Sequence, residues 1–215
     1  MTTNRITATA LIGGSLAGLV TMSLHPSGHD VVSNASSGAS NTLNSAVHLL
    51  SIVAQPLVLA GSLGITLRLR RRRDLALGAF TFFAIGSVAV IIAAVASGFI
   101  APATLRGMAS ADDAGRAAML GDLRFTGIVN QAFARVYVTF AGVALMLWSL
   151  AIVLGREMSR ALGIYGLVLG VVLVVSVTTG SLALNIHGFG AIVLGIGAWF
   201  VWAAAGILNE PRVAN

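Results

Sequence analysis

The chain has 215 residues, 57% of them apolar and 9% charged, with a mean hydropathy of +0.92. Soluble domains carry about 25% charged residues, so the composition excludes an ordinary soluble protein and predicts an all-α, polytopic membrane protein. The net charge of +6 would suggest nucleic acid in a soluble chain; here it comes from arginines beside apolar runs, where anionic lipid is the expected partner and nucleic acid is not.

The first apolar run, about residues 6–24, follows Arg5 in the manner of a secretory signal. His25 and Pro26 succeed it without a small-x-small cleavage site, so a first span is expected. Residues 26–42 read as a polar outer loop. A second span, 43–67, contains Gln55 and Pro56, and the proline is expected to bend it. Arg68, Arg70, Arg71, Arg72 and Arg73 follow, then a third span over 75–100 and a second outer loop over 101–124. That loop is expected to hold one short extra helix, with Ser110 and Asp113 in capping-box spacing. Spans over 125–154, 161–184 and 188–208 complete a six-transmembrane-helix bundle in one domain.

The charge distribution predicts sidedness. Arg5, the five-arginine cluster, Arg156, Arg160 and Arg212 fall on the side of the termini, against Arg106, Arg116 and Arg124 on the other. This excess puts both termini in the cytoplasm of a bacterial-type inner membrane and the loops at 26–42 and 101–124 in the periplasm. Trp148, Trp199 and Trp202 are expected in the cytoplasmic aromatic belt. Glycines four apart, as at Gly14 with Gly18 and Gly166 with Gly170, predict close helix packing and helix faces suited to a membrane protein partner.

Cysteine and lysine are both absent. Thiolate metal sites, disulfides and lysine Schiff bases are thereby excluded. The chemistry left to the chain lies in His25, His29, His48 and His187, its four histidines, all at the outer end once the arginines are placed inside. Counted along helices at about 1.5 Å per residue, His25, His48, Arg135 and His187 each lie roughly 30 Å from the inner boundary.

Imidazole binds zinc, copper and haem iron. His25 and His29 have the x3 spacing of a ligand pair, with Asp30 beside them. His48 and His187 each open an inward-running span and could ligate one haem b from opposite sides, with Arg124 or Arg135 at its propionates. Such paired histidines resemble those of four-helix cytochromes of the b561 type, which implies haem. His25, His48 and His187 around zinc and a water resemble membrane hydrolases of the alkaline ceramidase and progestin-receptor type, whose seventh span and H-x-x-x-H are missing here. Met22, Met108 and Met119 add soft donors for copper.

Arg135, inside a span, calls for an anionic partner such as Asp122, Asp30, a lipid phosphate or a ligand. The leading expectation is a His/Arg site at the outer face that binds a metal, haem or small ligand. A non-catalytic accessory or assembly subunit is the alternative. A transporter is the third reading, weakened because Gln55, Ser87, Thr139, Ser149, Ser176, Thr178 and Thr179 are uncharged.

Overall fold

The computed structural model describes residues 2–26 and 39–209. Among these the chain is all-α, and six helical runs are long and apolar enough to cross a membrane. They comprise α1 (Thr2–Leu24), α2 (Ala39–Arg68), α3 (Arg73–Val95), α5 (Asp113–Gly155), α6 (Arg160–Thr178) and α7 (Ile186–Leu208). A π-helical turn over Ala96–Ile100 joins α3 to the short α4 (Ala101–Met108) without a break. His29 and Asp30 lie outside the described residues.

Large apolar side chains turned outward, such as Val53, Val88, Val168 and Leu194, are each more than half exposed. In water such a surface would aggregate; in a bilayer it is the surface lipid covers. The protein is a multi-pass membrane protein.

Residues 101–124, expected as a loop with one short helix, are helical except for 109–112. The cap also lies two residues beyond the expected one, at Asp112 instead of Ser110. Asp112, in extended conformation, accepts a hydrogen bond from Gly115 N at 2.8 Å, while the Ser110 hydroxyl donates to Gly107 O at 3.3 Å. From there α5 runs unbroken for 43 residues, about 65 Å at 1.5 Å per residue, roughly twice the hydrocarbon thickness. Its far end is held at the arginine turn, so α4 and the first turns of α5 form a hairpin standing beyond the histidine end.

The arginine end is closely built. Arg70–Arg72 form a single 3-10 turn. The Glu157 carboxylate accepts from the main-chain N–H groups of Arg70 and Arg71, each at 3.1 Å, and the Arg71 guanidinium donates to Gly155 O at 3.2 Å. The cluster is thus clamped to the turn between α5 and α6, rather than being only a solvated charge run.

Trp148 and Trp199 do not join an aromatic belt: both are fully buried and stack at 5.8 Å, while Trp202 is exposed. Burial is tolerated because each indole N–H is satisfied inside the bundle, Trp148 by Thr66 Oγ1 at 3.0 Å and Trp199 by Leu162 O at 3.2 Å. Phe83 and Phe200 complete this aromatic cluster. Around it the helices meet through glycine. A Cβ on Gly170 would sit 2.6 Å from Gly142 O, so α5 and α6 cross backbone against backbone.

Candidate functional site at the histidine end

The opposite end is hollow. A cavity of about 470 Å³ opens among α1, α2, α3, α5 and α7, and His25, His48 and His187 all line it. Their neighbours there include Met22, Ser51, Ser97, Asn130 and Gln131. Of the three candidate methionines, Met22 alone lines this cavity among the described residues.

His48 is buried on α2, and two features of the chain place it. Its Nδ1 donates to Asn44 O at 2.7 Å, one helical turn earlier. Its side chain lies against Gly98, where any Cβ would overlap it. Gly98 belongs to the π turn, whose widened backbone also offers carbonyls to α2: Asn44 Nδ2 donates to Ser97 O at 2.8 Å and Ser45 Oγ to Gly98 O at 2.7 Å. Turns of this kind recur at functional sites because they free main-chain groups from the helical ladder.

His25 follows the last residue of α1 and is half-buried. Its Nδ1 lies 2.7 Å from Pro26 O, and its Nε2 lies 3.3 Å from Nε2 of His48. The rings meet edge to face with centroids 4.7 Å apart. A carbonyl oxygen only accepts, so each Nδ1 carries the ring proton. In neutral rings both Nε2 atoms then present lone pairs, and these face each other.

His187 is exposed in the first turn of α7, which Asn185 caps by accepting from Gly188 N at 2.9 Å. Gln131 Nε2 donates to Leu184 O at 3.2 Å and Asn130 Nδ2 to Ala93 O at 3.0 Å, tying α5 to the entry of α7 and to α3 at this level. The ring nitrogen of His48 that is free to ligate faces His25 rather than His187. The contact within the site is therefore between the first and second spans, not the second and sixth.

Arg124 and Arg135 lie elsewhere, on an adjoining cavity of about 950 Å³ beneath the α4–α5 hairpin. His25, Ser97, Asn130 and Gln131 border both spaces. Arg135 is exposed, and neither Asp122 nor another described acid pairs with it. Among the described residues no set of three or more histidine or acidic side chains is gathered tightly enough to enclose a metal ion.

Asn44, Ser45, Ser97 and Gly98 went unnoticed in the sequence. The asparagine and serine just before His48 were a usable signal, since polar side chains in an apolar helix need partners. Pro102 marks the π turn in the sequence, since a proline has no N–H to return to the Gly98 carbonyl one turn earlier.

Fold and cavity together define a six-span membrane protein with a polar, histidine-lined chamber open at one end. Comparisons with protein-family models, with curated proteins and with solved structures each return no match to this chain.

Proposed function

We propose that the protein binds one transition-metal ion at the outer face of a bacterial-type inner membrane, through Nε2 of His25 and Nε2 of His48. The observation that carries this reading is the 3.3 Å separation of two nitrogens whose ring partners are both committed to carbonyls. Two facing lone pairs repel unless an electrophile sits between them. A shared proton draws heteroatoms to the usual hydrogen-bond spacing of about 2.9–3.0 Å. A metal bonded to each nitrogen at about 2.0–2.1 Å, with a tetrahedral angle, needs about 3.3–3.4 Å. The spacing accommodates the metal, and two neutral rings whose protons sit on Nδ1 have none to share between their Nε2 atoms. Carbonyls on Nδ1 are also the outer partners that orient metal-binding imidazoles.

Two ligands leave coordination positions open to the chamber, where Met22, His187 and water are at hand. Thioether beside imidazole suits copper, and imidazole with water suits zinc. A haem b held between His48 and His187 would require His48 to turn away from His25, so the single ion is preferred. Arg124 and Arg135 then serve the neighbouring cavity as anchors for a lipid phosphate or another anion. The arginine cluster, by the positive-inside rule, supports a periplasmic setting for this site, with Arg68 and Arg70–Arg73 against anionic lipid on the cytoplasmic side.

The test is metal analysis of protein purified in detergent and equilibrated with zinc or copper. One ion per chain is expected, lost in both His25→Ala and His48→Ala, with no haem absorption. A wild-type protein that retains no ion would overturn the reading, and co-purification of that metal-free protein with a larger membrane complex would favour the accessory-subunit alternative.

A further inference from the structure

Deeper than the histidine pair lies a second, smaller cavity of about 60 Å³ among α1, α2, α3, α5 and α7. Thr21, Met22, Ser51, Val90 and Phe189 border both this cavity and the histidine chamber, so the two adjoin. Two side-chain oxygens on its wall, Ser15 Oγ and Gln55 Oε1, are buried with no hydrogen-bond partner among the described residues. Ser15 as a whole is only 6% exposed.

An oxygen shut away in this manner inside a bilayer is costly unless something donates to it. Cavities with apolar walls stay dry, whereas polar ones of sufficient size hold water, at about 30 Å³ each in the liquid. Room for about two waters is present, and the two orphaned oxygens supply the acceptors. Ser15 is about ten residues before His25 and Gln55 about seven after His48, which puts them roughly 15 and 10 Å deeper at the helical rise. This is close to the middle of a hydrocarbon core of about 30 Å. There the path stops: Phe83 and Phe200 line the cavity and pack on the buried pair Trp148 and Trp199.

We infer that the two cavities form a hydrated half-channel, in which water enters from the histidine chamber past Ser51 and is held at Ser15 and Gln55. It gives water and hydronium access to the centre of the membrane from one side, and the aromatic cluster closes the other. The oxygens that hold the water are not the ring nitrogens of the proposed metal site, so the two readings stand or fall separately.

The experiment is water-edited solid-state NMR on metal-free, isotopically labelled protein in lipid bilayers. Rapid transfer of water magnetisation to the side chains of Ser51, Ser15 and Gln55 is expected. In Gln55→Leu the transfer to Ser15 should fall severalfold. If that variant does not fold, the wild-type transfer alone decides. Transfer that reaches His25 but not Ser15 or Gln55 would show a dry cavity and overturn the inference. Vesicles of the wild-type protein carrying an internal pH dye should show no proton leak above protein-free vesicles; a leak would overturn the one-sided closure.

Discussion

The two ends of this bundle use the same few residue types for opposite purposes. From mid-bundle to the arginine end, glycine removes side chains so that backbones can touch, as where Gly170 meets Gly142, and tryptophan fills the space between with its N–H satisfied. At the histidine end, Gly98 removes a side chain to admit an imidazole, and polar groups reach main-chain carbonyls that the π turn has released. One end is a packed anchor and the other a chamber. At the arginine end, bonds from Arg70 and Arg71 to Glu157 and Gly155 join the turn between α2 and α3 to the turn between α5 and α6.

The contrast predicts different costs for similar substitutions. The largest is expected for Gly170→Leu, which drives a side chain into the Gly142 carbonyl. Overpacking in a core costs about 1–3 kcal/mol and occasionally more, and because the contact here is backbone we expect about 3 kcal/mol or more, read as loss of folded yield and of thermal stability in detergent. A variant with wild-type stability would show that the anchor is softer than its contacts imply.

Gly98→Ala is expected to cost somewhat less because the added group is smaller, about 2–3 kcal/mol; the new Cβ meets the Cβ of His48, so only a shift of α2 or of the π turn relieves it. Its sharper effect falls on the site, where displacing His48 from His25 should weaken metal uptake at least tenfold. Retention of full metal affinity would mean that Gly98 does not position the imidazole.

His48→Ala should be the mildest for the fold. Truncation removes a buried ring that packs on Gly98 beside an existing cavity, and a change of about 1–2 kcal/mol is expected in chemical denaturation. Metal binding should vanish. A loss of several kcal/mol would instead mark His48 as a packing residue and merge the two ends into one structural role.

Much of the fold was legible because apolar runs of span length leave few alternatives. Six such runs between polar breaks, Pro56 inside one of them, and the arginine cluster after the second all read directly. The extension of α5 beyond its apolar portion was less so, since residues 113–124 carry charges typical of a loop and become helical by capping at Asp112 and by packing against α4. Trp148 and Trp199 misled for a related reason: an indole near a span end suits the interface as well as the core, and only Thr66 and Leu162 as partners distinguish the two.

By itself the sequence determined that this is a multi-pass helical membrane protein, because so little charge over so much apolar length has no stable form in water. It also brought His25, His48 and His187 to similar depth, since helix rise converts residue number into distance. Which of them touch was decided only by tertiary structure. Lateral position depends on how helices rotate and cross, on where a π turn shifts the register, and on which glycine leaves a gap. That is why His48, seated against Gly98, meets His25, while His187 stands exposed on the same chamber.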